Sequence, residues 1–595
     1  MAQTQAQSKV EKIEDFKKLQ VLTHEAELKA ELLFREKLLN IYNEAAIYKQ
    51  QITANWDMYK NFVRGAQWPS RRPSYKVSAV VNFIIENVER KTALLTDAKP
   101  IPFVVPRSDK YQDTADILNA IISVIFQEHS FGLANADLVE NAQVFGSGFL
   151  NTVYNKDSRE VLVCATDPRA IYIDPLVRKS YLLVEGEYVI IEDVWSLSRA
   201  QDMYPKRADM LRPDAGLSRF RTDNSQGMFQ RMMNKVFKTT DGNLSTSEIP
   251  RVYVREYWLK DRSKNDEGKA RFKNAARKVV MIGDVIVDDG DNPYLDGDFT
   301  TDMLAWHTDF DSCWGWGDVE LMKSPQEIQM KLLATVVENA TLMSNAIWVG
   351  DADALSKEEW TRLNNAPGTH VKKRPGRELR REPGVPLPSY VMDTNNYMEI
   401  AKEKITGMVD VMRGIRTGQV SSGVGIESLQ MMAQALVRLR ARALEAMHQR
   451  VGRKLVSRIF QFYEPEKIFE FLRATSADME QDMKEVSSEL LKPISSRSKT
   501  AWKDVALKIE PGSSLGLAKT QRQIQSMRLR EMQVIDDQAL LEDIEYPHRE
   551  KVLARVKQKR EDETNQEIAG QQPPQGGGRG TQFPGQAGGS PKGRF

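Results

Sequence analysis

The sequence predicts an α+β fold in which a strand-rich centre separates two helical blocks. Three observations carry this. Residues from about 10 to 63 repeat apolar side chains at helical spacing among many charges. From about 150 to 304 the chain changes to short alternating or apolar runs between turn residues. Beyond Ser324 the helical period returns and persists almost to the end.

Taken in order, "HEAELKAELLFREKLLNIYNEAAIYKQQ" predicts surface helix that stops at "RGAQWP", where Gly65 and Pro69 break the pattern. "SAVVNFIIENVERKTALLTDAKPIPFVVP" predicts a helix ending near Lys99-Pro100, then a short apolar strand. A helix near Asp113 to His129 precedes "LVENAQVFGSGFLNTVYN", a helix that passes through a Gly-Ser-Gly hinge into a strand. "EVLVCATDPRAIYIDP", "SYLLVEGEYVIIEDV", "RVYVREYWLK" and "KVVMIGDVIVDDGDNPY" supply the strands. "SPQEIQMKLLATVVENATLMSN" predicts a helix with Ser324 as N-cap and Pro325 at its first position. A region rich in Pro and Arg runs to about Tyr390, a second helix covers about Asn396 to Arg413, and a long one runs from Glu427 to Phe460. Between them lies "GIRTGQVSSGVGIESLQ", longer and richer in glycine than a helix–helix connection requires. The stretch from Ile494 to Ile509 resembles a strand, and further helices are expected around a turn near Pro547. The end, "GQQPPQGGGRGTQFPGQAGGSPKGRF", has little to bury and is expected to be disordered.

With 595 residues the chain exceeds what one core supports. It has no apolar run approaching the roughly 18 residues of a membrane span, so no membrane partner is expected. The first residues lack the pattern of a secretory signal, which predicts that the protein stays where it is made. Cys164 and Cys313 give neither a disulfide framework nor a zinc pattern and are expected to be buried small hydrophobes. A net charge of +2 from 84 basic and 82 acidic residues means that any nucleic-acid contact must come from local patches.

Catalytic motifs find little support. In "VALKIEPGSSLGLAKTQRQ" a phosphate loop would need its lysine next to the second glycine, but Leu517 and Ala518 separate Gly516 from Lys519. The carboxylates of "DDGDNPYLDGD", Asp288 to Asp298, miss the calcium-loop spacing and suit a turn between strands. The six histidines show no metal-binding pair, and no nucleophile motif is present, so neither a cofactor nor a metal is expected. More informative is "HVKKRPGRELRR", where Lys372, Lys373, Arg374, Arg377, Arg380 and Arg381 are opposed only by Glu378. Such a patch suits phosphates or an acidic protein surface, and equally a solvated hairpin. In the helix after it, Tyr397, Ala401, Ile405, Met408, Val409 and Met412 share one face, expected to pack inward. In the long helix, Met432, Leu436, Leu439, Ala443, Met447, Val451, Leu455 and Ile459 form the apolar stripe.

In this order the segments resemble the portal, or head-to-tail connector, proteins of tailed bacteriophages. "WDMYKNFVRGAQW" is similar to the W/Y-x-F-x-G-x-Q-W ending of their N-terminal helix, and "VVNFIIENVERKTALLTDAKPIPFVVP" to their helix followed by a K-P-x-x-x-V-x-P strand. "NAQVFGSGFLNTVYN" and "DPRAIYIDP" resemble the next two landmarks, and "NPYLDGDFTTDMLAWHTDFDSCWGWGDVELMKSPQEIQMKL" the approach to the first stem helix. The likeness runs with gaps from about residue 50 to 556; "YLDG" replaces the usual Y-x-H-G, and the first fifty residues and the tail find no counterpart.

The resemblance implies a ring oligomer, usually of twelve subunits, with a discontinuous α/β wing at 1–320 and 427–511. It implies stem helices at 324–346 and 396–413, a small α/β clip at 347–392, a tunnel loop at 414–426 and a helical crown at 512–565, followed by a disordered tail at 566–595. The tunnel loop would turn Arg416, Thr417, Gln419, Ser421, Ser422, Gly423 and Gly425 towards double-stranded DNA passing without sequence recognition. The six basic clip residues would meet the terminase motor, head-completion or tail adaptor proteins, or DNA. Major capsid and scaffolding proteins are further implied partners, with assembly in the host cytoplasm and residence in the virion. The implied protein is not an enzyme. A nucleotide-driven motor subunit using Lys519 and a tail-side adaptor ring are the alternatives.

Overall fold

The computed structural model describes residues 2–69, 72–73, 76–97, 102–214, 250–265, 267–344, 347–364, 370–382, 384–407, 435–475, 488–509, 516–544, 552–553 and 555–556. Two compact units divide it, Met1–Gly516 and Leu517–Phe595.

In the larger unit, α1 (Ala2–Thr53) and α2 (Trp56–Val63) form the helical beginning, and α3 (Phe83–Thr96) follows an extended arm. Asn82 joins them: its carbonyl accepts from the N–H groups of Ile84 and Ile85, capping α3, while its amide donates to Val63 O at 2.7 Å. The expected strand after α3 is β1 (Phe103–Pro106), and it leads to α4 (Gln112–Glu128) and α5 (Phe131–Phe145). Much of α4 is buried on more than one face, and no single helix among the described residues is long and apolar enough to cross a membrane.

The Gly-Ser-Gly hinge turns α5 into β2 (Ser147–Asn155) with Gly146 at φ +83. A side chain there would lie 2.2 Å from Gly315 O, and one at Gly317 would lie 2.1 Å from Gln143 O. The two glycine motifs of the sequence therefore pack backbone on backbone, held by Gly315 N–H to Ser147 Oγ at 3.0 Å.

Strand β2 pairs antiparallel with β3 (Glu160–Thr166) and β9 (Thr301–Ala305). A separate five-stranded antiparallel sheet runs β4 (Ile171–Ile173), β5 (Tyr188–Ser196), β6 (Arg251–Lys260), β7 (Ala276–Ile282) and β8 (Val285–Asp291) in sequence order. Both its faces are covered. Leu38 and Ala45 of α1 pack on Tyr188, Ile190, Tyr257, Val279 and Met281, while Ala200 of α6 (Leu197–Met203) and Leu211 cover Val252, Val254, Val280 and Ile282.

The rest of this unit is α7 (Asp318–Ser344), β10 (Ile347–Gly350), α8 (Lys357–Arg362), β11 (Leu379–Glu382), α9 (Tyr390–Thr406), α10 (Ala435–Phe462), α11 (Pro465–Thr475) and β12 (Val505–Lys508). Helix α7 begins six residues before the expected cap Ser324, so Pro325 lies inside it and leaves Leu321 O without its helical donor. The strand expected over Ile494 to Ile509 shortens to β12, which pairs only with β1, because two 3₁₀ turns occupy 494–496 and 501–504. Cys313 is buried as expected, but Cys164 is exposed. In α10 the expected stripe holds at Met447, Val451, Leu455 and Ile459; nearer its start Leu439 is exposed and Val437, Ala441 and Leu444 are buried instead.

The smaller unit contains α12 (Gly516–Glu531), which begins at the last residue of the larger one, and α13 (Asp537–Asp543). They are separated at 532–536, where Gln533 takes φ +58. Pro547, where the turn was expected, lies outside the described residues.

Candidate functional site

The first residue of α7 explains its early start. Asp318 is buried, takes the Lys91 ammonium of α3 at 2.6 Å on one oxygen, and His307 Nε2 at 3.0 Å on the other. Burial raises the Asp318 pKa, but the His307 hydrogen bond and the Lys91 charge outweigh it and hold the carboxyl at about 2. Burial also pulls the Lys91 ammonium below its ordinary value, opposed by the charge and hydrogen bond of Asp318. On the far side of the imidazole, Arg440 of α10 contacts Nδ1 and donates to Trp306 O. A guanidinium can only donate, so Nδ1 of His307 accepts from Arg440 and Nε2 donates to Asp318. Stacked on Trp316 at 4.1 Å, this ring joins α3, α7 and α10 in one polar knot.

Helix α9 returns antiparallel along α7. Gly384 lies against Met343, Asn339 donates to Val385 O at 3.0 Å, and further along Lys402 donates to Gln329 Oε1. The Lys402 ammonium also sits 3.5 Å from the centre of the Phe83 ring. The helix begins at Tyr390, earlier than expected, and ends at Thr406, with Gly407 capping it at φ +72; the expected continuation over 408–413 lies outside the described residues. Its rotation is the reverse of the expected one. Lys402 and Thr406 are buried, while Tyr397, Ile400 and Ile405 are 65%, 49% and 40% exposed. Gln329, buried on α7, requires a donor, and the polar pair fixes which side of α9 faces inward.

Between α7 and α9, β10 and β11 form a two-stranded antiparallel sheet, with α8 started by a capping box between Ser356 and Glu359. All six predicted basic residues lie here on the segment leading into and along β11, and all are exposed. Arg377 meets Asp353 at 3.3 Å, Arg380 has Glu378 and Glu382 each at 3.9 Å, and Arg381 lies 5.9 Å from the Trp348 ring. The Arg374 N–H donates to Ala354 O at 3.1 Å, and Gly376 makes the turn at φ +76. Lys372 and Lys373 have no ion pair among the described residues. The patch is thus a presented surface, its charge only partly answered by weak exposed pairs. The predicted loop residues Arg416, Thr417, Gln419, Ser421, Ser422, Gly423 and Gly425 lie outside the described residues.

Sequence reasoning missed a second set of charges. The acidic stretch ending at Asp298 runs from the end of β8 into its connection with β9, and Asp296 of that connection and Asp302 of β9 face cations of α10. Lys454 meets Asp302 at 2.9 Å and donates to Thr301 O at 3.0 Å; Arg458, fully buried, lies 3.9 Å from Asp296 and donates to Thr152 O. Its guanidinium covers the Tyr294 ring at 3.9 Å. The available signal was a Lys and an Arg four residues apart inside the apolar stripe of α10. Among the described residues no group of His, Cys, Asp and Glu is arranged to hold a metal ion. Lys519 lies within α12, and the preceding β12 belongs to a two-stranded antiparallel sheet, unlike the parallel sheet that feeds a phosphate loop.

A family model described as phage P22-like portal protein matches residues 39–582. No curated protein matches the chain.

Proposed function

This chain belongs to the phage P22-like portal protein family, structural virion proteins that form a ring-shaped DNA-packaging channel at a capsid vertex, and from that premise we propose how its parts serve the role. Twelve copies assemble in the host cytoplasm. Residues 1–320 and 427–511 form the wing, 324–346 and 396–413 the stem, 347–392 the clip, and 512–565 the crown, with 566–595 as a tail. The observation that carries this reading is the antiparallel pair α7 and α9, with an exposed basic two-stranded tip between them.

The tip is the docking face for the terminase motor and afterwards for head-completion and tail adaptor proteins. Cyclic repetition turns one modest patch into a belt around the axis, so Lys372, Lys373, Arg374, Arg377, Arg380 and Arg381 act collectively on an acidic partner surface. Capsid and scaffolding proteins meet other surfaces. Residues 414–426 form the tunnel loop, whose Arg416, Thr417, Gln419, Ser421 and Ser422 supply contacts to the phosphate backbone without reading bases.

Negative-stain images of the purified protein test the ring and its count: annuli of twelve are expected, and monomers under all conditions would overturn the reading. Reversing the charge at Arg377, Arg380 and Arg381 should weaken capture of the motor, whereas undiminished capture removes the docking role from this tip.

A further inference from the structure

The α7–α9 pair carries an exposed ridge on one flank and a groove on the other. At about 100° per residue, Asp393, Tyr397, Ile400 and Lys404 fall on the side of α9 opposite Lys402, which is the residue that faces α7. Tyr397 and Ile400 form an apolar ridge on that outer side, 65% and 49% exposed. On α7, Glu327, Lys331, Ala334 and Glu338 fall by the same count opposite Gln329, away from α9. They line a groove of about 520 Å³ whose other wall is the arm between α2 and α3, with Trp68 and Pro69. The arm is pinned there: Arg72 pairs with Glu338 at 3.5 Å and lies over the Trp68 ring at 3.6 Å, and Val77 N–H donates to Glu338 at 3.0 Å.

We propose that the outer ridge of α9 seats in the groove between α7 and the arm of a second copy of this chain. This rests on the ring reading above and says which surfaces make the contact. A head-to-tail ring needs two different patches on opposite flanks of each subunit, which the ridge and the groove provide. Cyclic symmetry rotates copies without shifting them along the axis, so with α7 and α9 running along that axis, as the stem reading has them, groups at equal height meet. The contacts Lys402–Gln329 and Val385–Asn339 set the heights. Lys404 then stands level with Glu327, Ile400 with Lys331, and Asp393 with Glu338 and the adjoining Arg72 and Lys76. Opposite charges meet at the Lys404–Glu327 end, and at the other end Asp393 comes to Arg72 and Lys76 beside Glu338, with Tyr397 and Ile400 against Trp68, Pro69 and the Lys331 stem between them. An aromatic and an aliphatic side chain in a central groove make the kind of core that carries binding energy.

The test is a disulfide. With the exposed Cys164 changed to Ser, Ile400→Cys and Lys331→Cys are combined in one full-length chain. These positions lie on opposite flanks of one subunit, so a bond between them must join two copies. The oxidised double variant should run as a ladder of covalent multimers up to the full ring on a non-reducing gel, and neither single variant should go beyond dimers. Annuli in negative stain without a ladder would overturn this contact while leaving the ring intact; wild-type protein without annuli would fail the ring reading itself. As a second measurement, Lys404→Glu should raise the concentration for half-assembly roughly tenfold, and Glu327→Lys in the same chain should restore it. Absence of restoration would overturn the pairing.

Discussion

His448 on α10 makes the protein sensitive to acid at a defined place. The ring is buried, its Nε2 lies 3.0 Å from Asn135 Oδ1 on α5, and its Nδ1 has no hydrogen-bond partner. Asn135 Oδ1 only accepts, so Nε2 carries a proton, and a second proton on the buried, partnerless Nδ1 would be a charge with no acceptor to meet it. Burial, reinforced by the neighbouring Arg450 charge, pushes its pKa down to about 3. In the unfolded chain a histidine titrates near 6.5. Between these values the unfolded chain binds a proton that the native one refuses, so the stabilisation present above pH 6.5 drains away as pH falls towards 3. The slope is about 1.4 kcal/mol per pH unit, or about 2 kcal/mol between pH 6.5 and 5. A chain of this length need not unfold in one step, so the effect is best read locally. Amide hydrogen exchange of α5 and α10, corrected for intrinsic rates, should lose about thirtyfold protection over that interval relative to His448→Gln. Glutamine keeps a donor for Asn135 and does not titrate. Equal pH slopes in the two proteins would refute the assignment of the acid sensitivity to this ring.

Three further outcomes follow from the packing. Asp302→Asn leaves Lys454 buried without its counter-charge and should cost about 3–5 kcal/mol, read as lost exchange protection in β9 and α10; a loss below about 1 kcal/mol would mean that the pair is not integral to the fold. Gly317→Ala drives a methyl group to within 2.1 Å of Gln143 O and should cost about 3 kcal/mol in thermal or denaturant unfolding, since the atoms it meets are backbone and cannot swing aside. Shortening Ser421 to Gly425 should lower DNA packaging or retention in a complementation assay, and wild-type levels of both would remove that stretch from the channel.

The architecture was legible where one residue type has one physical use. Gly146 and Gly317 mark places where backbone meets backbone, and no side chain could stand there, so their motifs identified the α5–β2 turn and the approach to α7. Short apolar runs bounded by turn residues identified the strands of the five-stranded sheet because both its faces are covered by apolar groups. The start of α7 was not legible for a different reason. Ser324 and Pro325 have the local chemistry of a helix start, but Asp318 is held by Lys91 and His307, two residues distant in sequence that no local pattern connects to it. The buried cations of α10 were hidden in the same way: Lys454 and Arg458 look like breaks in an apolar stripe until the carboxylates of Asp302 and Asp296 are brought to them.

Helix α9 shows what periodicity can and cannot establish. The apolar set containing Tyr397 and Ile405 is real, but a pattern states only that a face avoids water, not which surface covers it. Within the chain, the stronger constraint is Gln329, since an unpaired amide buried on α7 would cost more than an exposed isoleucine gains by turning inward. Lys402 answers it, the rotation is fixed, and Tyr397 and Ile400 are left outward. In a monomer that arrangement would waste apolar area; in a subunit of a ring, the same residues become the surface by which one copy holds the next.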